Sequence, residues 1–203
     1  MQYRFEDLVE LVELNPQFFQ VSTERGGIAP MTDNPPGASE ESILAAEAAL
    51  GVKFPSDFRR YLAKWGNLGW FGQEFCGIVD DNAASGWPGV VIATQDVRQE
   101  GALPENYVVI VNEDGDEYIC VDVNQPEGAI ATWDFFAQEL VDDCYYQPSS
   151  FVDYLINEFV SQAEETEEEV GEPIRWPASI DPSVDPYEDA DEDYDGYDEE
   201  DED

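Results

Sequence analysis

The sequence predicts an α+β fold in which helices pack on a mostly antiparallel sheet of about five or six strands. Three observations support this fold class. Two helical patterns precede a region rich in β-branched residues, and another amphipathic helix follows it. Between them, Asp114-Gly115 joins two β-rich runs, and this dipeptide is favoured in tight hairpin turns because both positions accept positive φ.

An amphipathic first helix is predicted near the N-terminus, with apolar residues at Phe5, Leu8, Val9 and Val12. Asn15 and Pro16 should end it. Residues 26–37 contain six Gly or Pro in twelve and therefore predict a linker. Residues 1–38 are interpreted as this helix and linker, and residues 39–163 as the main domain.

The main domain should open with two helices. Ser39 can cap the first, and Gly51 ends it. Phe54 is held extended by Pro55, after which Ser56 and Asp57 offer a cap for the second helix. The aromatic residues of the second helix and the loop after it are predicted to lie in the core; they are Phe58, Tyr61, Trp65, Trp70, Phe71 and Phe75.

The remaining elements follow in order. A first strand is predicted over 75–79, another over 90–93, and a short helix over 94–100 that Gly101 ends. The hairpin strands should occupy 107–112 and 117–123, a further strand 130–133, and the start of a helix 134–141. Ser150 with Asp153 predicts the cap of a final helix in which Phe151, Leu155 and Phe159 share one face.

From Glu164 onward the chain loses its periodicity and becomes acidic. Low hydrophobicity and high like charge cannot bury enough surface to offset the entropy of ordering. Residues 164–203 are therefore predicted to be a disordered acidic tail. Two interpretations of the tail stay open: a segment that binds a basic groove, and a solubility tail without a dedicated partner.

Charge gives the strongest functional signal. The chain has 48 acidic and eight basic side chains, a net charge of −40, and residues 1–180 alone hold 34 acids against all eight bases. Such a field repels nucleic acid and anionic membranes, and it attracts cationic proteins within a Debye length of about 8–10 Å. The sequence therefore predicts a basic protein partner.

Several functional classes are excluded. The chain has no histidine, so imidazole-based catalytic triads and most zinc sites are absent. No phosphate-binding glycine motif occurs, and neighbouring carboxylates are expected by chance in so acidic a chain. We therefore expect a protein that is not an enzyme and needs no cofactor.

The tail contains a formal match to a calcium-binding loop, formed by Asp191, Asp193, Asp195, Gly196 and Glu202. Asp198 stands where that loop usually carries an apolar residue, and one residue after Glu202 leaves no exit helix. Weak cation condensation is the favoured interpretation, and no metal site is predicted.

Cysteine usage and hydropathy indicate the compartment. Cys76, Cys120 and Cys144 form no CxxC pair and have apolar or aromatic neighbours, as small core residues do in a reducing compartment. No stretch approaches the ~20 apolar residues of a membrane span. A cytoplasmic protein without disulfides is expected.

Half of the bases lie within twelve residues, at Lys53, Arg59, Arg60 and Lys64. They are either a docking patch for the acidic tail or the solvated face of the second helix, and the second interpretation is favoured.

The residues that follow, in their order and spacing, carry a resemblance to a known superfamily: Ile43, Glu47, Leu50, Gly51, Phe54, Pro55, Phe58, Arg59, Leu62, Gly66, Phe75, Gly77, Ile78, Pro104, Tyr107, Val108, Val109, Asn112, Asp114, Gly115, Tyr118, Val121, Asp122, Trp133, Asp134, Ser150, Phe151, Tyr154 and Leu155. Over roughly residues 40–160 the chain resembles the SUKH superfamily of bacterial toxin-immunity proteins, which includes fungal cell-wall regulators. The resemblance implies an α+β domain that binds a toxin without catalysis.

Together, the resemblance and the acidity predict an immunity protein in interbacterial competition. It would neutralise a cognate basic toxin, in the leading hypothesis a nuclease, by covering its substrate cleft. Charge and predicted exposure alone place the contacts at Asp80, Asp81, Asp96, Glu113, Asp114, Asp116, Glu117, Asp142 and Asp143. The alternative is a regulatory scaffold whose acidic tail binds several protein partners. The sequence predicts no oligomeric state.

Overall fold

The computed structural model describes residues 2–22, 28–31, 37–70, 73–78, 89–141 and 148–184. The helices are α1 (Phe5–Leu14), α2 (Glu40–Leu50), α3 (Ser56–Trp65), α4 (Val90–Glu100), α5 (Phe151–Ser161) and α6 (Ala163–Val170), with a short 3-10 helix at Pro16–Phe18. The strands are β1 (Gln20–Ser22), β2 (Ile28–Pro30), β3 (Gly69–Trp70), β4 (Gln73–Glu74), β5 (Tyr107–Glu113), β6 (Glu117–Asp122), β7 (Ala129–Asp134) and β8 (Glu139–Leu140).

The strands form two antiparallel sheets, with orders β2-β1-β3-β4 and β5-β6-β7-β8. The predicted α+β class is confirmed, although two four-stranded sheets replace the single larger one. The hairpin prediction is also confirmed: β5 and β6 meet at Asp114 and Gly115, whose φ angles are 52° and 87°. Glycine tolerates such an angle without the clash that a Cβ would cause.

The core contains buried residues of the helices and of both sheets, and its aromatic centre lies between α3, α5 and the first sheet. Phe58 of α3 packs against Phe151 of α5, with ring centroids 5.0 Å apart, and Tyr61 lies 5.1 Å from the same ring. Trp70 of β3 and Phe159 of α5 extend this aromatic cluster. The predicted core residues are confirmed at Phe58, Tyr61, Trp65, Trp70 and Phe75, which are all 0–1% exposed, whereas Phe71 lies outside the described residues.

Helix caps agree with the sequence at two of three positions. The Ser39 hydroxyl accepts a hydrogen bond from Ser42 N at the start of α2, and the Ser150 hydroxyl accepts one from Asp153 N at the start of α5. At α3 the predicted cap by Ser56 or Asp57 is wrong, because Pro55 occupies the N-cap position and Ser56 is already helical.

Two predictions in the second half of the chain are wrong. Residues 90–93 form the first turn of α4 instead of a strand, because Val90, Thr94 and Val97 share one buried helical face. Residues 134–141 form a turn and β8 instead of a helix. There the Asp134 carboxylate accepts hydrogen bonds from Phe136 N and Ala137 N, which closes a turn.

The predicted linker and first strand also need correction. Ile28–Pro30, inside the predicted linker, is β2 and pairs with β1. The predicted strand 75–79 is replaced by an irregular segment up to Ile78, and Val79 lies outside the described residues. In this segment Gly77 forms one isolated bridge with Gly89, and Cys76 N donates to the carbonyl of Ile110 at 2.7 Å.

Part of the predicted tail belongs to the fold. Helix α6 and the segment after it are ordered to residue 184, with Ile174 and Ile180 buried and Trp176 6.0 Å from the ring of Phe159. The expectation of disorder from Glu164 is therefore wrong up to residue 184. The later residues, including the calcium-loop match, lie outside the described part, and the three-part division of the chain stays a prediction. In the described part, no helix has the length and apolarity to cross a membrane.

Candidate functional site

Five bases of the described residues lie in or beside α1, α2 and α3 and are paired there with acids. Ion pairs among the described residues lie within α1, α2, α3 and the segments beside them; they are Arg4–Asp7, Lys53–Glu47, Arg59–Glu40, Arg59–Glu47, Arg60–Glu6, Arg60–Asp57 and Lys64–Glu13. The four clustered bases of the sequence are thus each paired with an acid of the folded chain. This arrangement favours the interpretation of these bases as a solvated face.

Bases are scarce in the second half of the chain. From Arg98 to Arg175 the sequence contains no other Lys or Arg, and this stretch includes the whole second sheet, α5 and α6. Arg98 itself donates to the carbonyl oxygens of Leu50 at 2.8 Å and Glu105 at 2.6 Å. Burial lowers its pKa. Its guanidinium therefore ties α4 to neighbouring main chain instead of pairing with an acidic side chain.

A row of carboxylates crosses the second sheet at one end. Glu113 of β5 is the register partner of Glu117 of β6, Glu117 is the partner of Asp134 of β7, and Asp134 is the partner of Glu139 of β8. Directly paired residues point to the same face of a sheet, with Cβ atoms about 4.5–5.5 Å apart. We call these four residues the carboxylate row. Like charges placed so closely are unfavourable for folding alone.

The predicted contact residues converge in part. Glu113, Asp114, Asp116 and Glu117 lie together in the β5–β6 turn and at its two flanks. Of the remaining predicted residues, Asp80, Asp81, Asp142 and Asp143 lie outside the described part of the chain.

Asp96 comes from a separate element, α4, but reaches the same end of the molecule. The pKa of Tyr118 is raised by its own burial and then by the charges of Glu100, Asp116 and Asp96. Charges from α4 and from the β5–β6 turn therefore act on the same phenol. Helix α4 and the β5–β6 turn thus build one acidic surface.

Sequence reasoning missed Asp134, Glu139 and Glu100. Asp134 and Glu139 were hidden because residues 134–141 were interpreted as a helix, which places them on different faces. An Asp followed by a short loop and alternating residues is also a turn-and-strand pattern. That alternative pattern would have placed the two carboxylates opposite each other on neighbouring strands.

A separate cavity of about 360 Å³ lies at the other end of the molecule. Its charged groups are Arg4, Glu6, Asp57, Arg60 and Glu127. Both of its arginines are in ion pairs, and Arg60 also lies 4.1 Å from the ring centroid of Phe5. Its bases are occupied within the fold. Among the described residues, no group of three or more His, Cys, Asp or Glu is arranged to hold a metal ion.

Comparison with known proteins agrees with this fold. The SUKH_5 family model, described as SMI1-KNR4 cell-wall, matches residues 19–160. A protein from Pseudomonas syringae pv. tomato, known from a crystal structure, is similar with a TM-score of 0.51 and 16% sequence identity; the match covers 74% of this chain and 94% of that chain. This likeness concerns the fold alone. No curated protein matches the chain. Because the family model matches more than half of the chain, the protein belongs to the SUKH_5 (SMI1-KNR4 cell-wall) family of the SUKH superfamily.

Proposed function

We propose that this protein is an immunity protein that binds a cognate basic toxin and blocks it without catalysis. Membership of the SUKH superfamily supports a toxin-immunity role. The single observation that carries the proposal is the carboxylate row, set in a stretch of sequence without any base between Arg98 and Arg175. Unfavourable in isolation, such a row becomes favourable when a cationic surface covers it.

A nuclease is the toxin class that this surface fits best. Neighbouring strands are about 4.8 Å apart, so the carboxylate row presents its charges at a spacing of the same order as the ~3.4 Å rise between charges along one DNA strand. A cationic cleft that accepts phosphates can accept these carboxylates. The protein would then act by steric and electrostatic occlusion, in the cytoplasm of the cell that makes the toxin.

Speed of association is the physical advantage of such a surface. An inhibitor must reach its target before the target cuts, and complementary fields can raise association rates about 10- to 1,000-fold. The segregation of charge helps orientation as well. The bases beside α1, α2 and α3 are paired with acids and weaken the negative field there, so a basic protein is drawn mainly to the second sheet.

A regulatory scaffold is the second candidate. The family description refers to the cell wall, and residues 185–203 contain many acids and no base. A scaffold of this kind would bind several partners weakly through that segment. Removing residues 185–203 would abolish scaffold binding, whereas it would leave most of a toxin contact on the second sheet intact.

The test uses the basic C-terminal module of a toxin encoded beside this protein in its native genome. Co-expression should rescue growth, and the two purified chains should form a complex of fixed stoichiometry. The double variant Glu113→Gln/Glu117→Gln should associate about 10-fold more slowly at low salt and nearly normally at 0.5 M salt. The matched control Glu10→Gln/Glu41→Gln removes two exposed acids from α1 and α2 and should change the rate far less. Failure of both rescue and complex formation would refute the proposal.

A further inference from the structure

We propose that Phe136, in the turn between β7 and β8, is the aromatic anchor of the partner interface and enters an apolar pocket that is rimmed by Lys or Arg on the basic partner. This inference rests on the proposed function and deepens it. It specifies where the tightest contact lies and what the partner must present there.

Phe136 is an aromatic residue with an unusually exposed side chain. It is 74% exposed, the highest value among the large hydrophobic residues that are exposed in the described part of the chain. Aromatic side chains that become buried in a partner pocket supply a large share of interface energy.

Hydrogen bonds fix the main chain of the turn that carries Phe136. The Asp134 carboxylate accepts hydrogen bonds from Phe136 N at 2.8 Å and from Ala137 N at 2.7 Å. Gln138 N donates to the Asp134 carbonyl at 3.0 Å, and Gln138 itself has a φ of 55°. A turn with these contacts is preorganised, so the partner loses little binding free energy in ordering it.

The neighbouring residue explains why Phe136 points outward. Phe135 fills the available space at the surface of the fold: its ring lies 5.8 Å from that of Tyr118 and packs against Gly101. A Cβ at Gly101 would lie only 2.5 Å from Phe135 Cδ2, so the glycine allows this close approach. Phe135 N also donates to the Asp116 carbonyl at 2.9 Å. With this site occupied, Phe136 packs edge-on against Phe135 and remains accessible.

Charge around the ring identifies the chemistry of the occupant. Asp134 and Glu139 flank Phe136 in sequence and belong to the carboxylate row. Asp116 adjoins this turn, because its carbonyl accepts a hydrogen bond from Phe135 N at 2.9 Å. The ring of Phe135 also contacts Tyr118, whose pKa is raised by burial and by the charges of Glu100, Asp116 and Asp96. An apolar pocket with a cationic rim would satisfy both features. A second copy of this chain would instead bring carboxylates against carboxylates, and an anionic membrane would be repelled.

The experiment compares Phe136→Ala with Leu44→Ala, a control at a 45% exposed residue of α2. Binding of the full-length variants to the basic toxin module is followed by surface kinetics at 0.1 M and 0.5 M salt. Phe136→Ala should dissociate at least about 10-fold faster at both salts, with a nearly unchanged association rate. Phe136→Trp should retain slow dissociation, and Leu44→Ala should match the wild type. Because Phe136 is exposed, the thermal unfolding midpoint of the Phe136→Ala variant should stay near that of the wild type.

The outcomes separate the two proposals. If the wild type binds the toxin and Phe136→Ala dissociates at the same rate, the anchor is refuted while the proposed function stands. If the wild type binds no basic toxin, the proposed function fails and the anchor fails with it. If Phe136→Ala changes only self-association in sedimentation experiments, the ring is a contact between copies and the anchor is likewise refuted.

Discussion

Asn15 and Arg175, 160 positions apart, are joined by a reciprocal pair of hydrogen bonds. Asn15 Nδ2 donates to the Arg175 carbonyl at 2.8 Å, and Arg175 N donates to Asn15 Oδ1 at 2.8 Å. Asn15 Nδ2 also donates to the Leu11 carbonyl at 2.8 Å, and the residue is fully buried. The Asn15 side chain thus connects the segment after α6 to the end of α1 by hydrogen bonds.

Asn15→Ala should therefore lower the free energy of unfolding by about 2–4 kcal/mol, because it removes three hydrogen bonds and leaves buried main-chain groups unpaired. Urea denaturation measures the change. Asn124→Ala, at an exposed position, is the matched control and should stay within about 0.5 kcal/mol of the wild type. Equal stability of the two variants would show that the three hydrogen bonds of Asn15 contribute little to the free energy of unfolding.

Glu47 is a buried carboxylate whose contacts make stability depend on pH. It is 1% exposed; Oε1 accepts from Phe54 N at 2.9 Å and from Arg59 at 2.6 Å, and Oε2 accepts from Lys53 at 2.8 Å. Burial alone would raise its pKa, but the hydrogen bonds from Lys53, Arg59 and Phe54 outweigh burial and lower the pKa below its ordinary value. The stabilisation is then complete above about pH 4.3, the unfolded pKa, and is lost as pH falls through the folded pKa.

We expect Glu47→Gln to cost about 2–3 kcal/mol at pH 7, since Arg59 and Lys53 lose a charged partner. The difference from the wild type should shrink as the pH is lowered from about 5 to 3, where the wild-type carboxyl becomes neutral as well. Urea denaturation across this range gives the difference directly. Glu10→Gln, at an exposed position of α1, controls for the loss of one negative charge. A difference that stays constant down to pH 3 would contradict the assigned contacts.

The helices and core of the main domain could be predicted because local signals agree with tertiary packing there. These signals are local: Ser39 caps the start of α2, Gly51 ends that helix, and the aromatic face of α3 is buried. The resemblance to the SUKH superfamily also pointed to Glu47, Phe54 and Arg59, and their mutual hydrogen bonds now give that pattern a physical reason.

The secondary-structure predictions were wrong where a segment could locally form either of two structures and a tertiary contact determines which one forms. The β-branched start of α4 favours a strand by propensity, yet burial of Val90, Thr94 and Val97 on one face stabilises a helix. The order of residues 171–184 depends on partners such as Asn15 that are distant in sequence. For the site, the β5–β6 turn was predictable from Asp114-Gly115, whereas the carboxylate row depends on strand register, which single-sequence patterns specify weakly.

Tyr61 carries a buried hydroxyl that satisfies a main-chain N–H. Its oxygen accepts a hydrogen bond from Leu68 N at 2.8 Å, and burial raises its pKa far above the ordinary value. Tyr61→Phe should cost about 1–3 kcal/mol of unfolding free energy, because the Leu68 N–H is left without an acceptor in a dry site. The partly buried Tyr118 gives the control Tyr118→Phe, which should cost less than about 1 kcal/mol. A neutral Tyr61→Phe would mean that Leu68 N finds another acceptor.

The carboxylate row should reduce stability in exchange for binding, and a single charge reversal separates these effects. Glu117→Lys places a cation between Glu113 and Asp134, its two register partners. Two repulsive pairs become attractive, so the free energy of unfolding should rise by about 0.5–1.5 kcal/mol at low salt, with a smaller gain at 0.5 M salt. Association with the basic toxin should slow at the same time. Glu172→Lys, an exposed site in the same base-free stretch but outside the row, makes the same change of charge without these partners. Because the field of the whole protein acts equally on both variants, a gain of equal size in the two would assign the effect to net charge and not to the row.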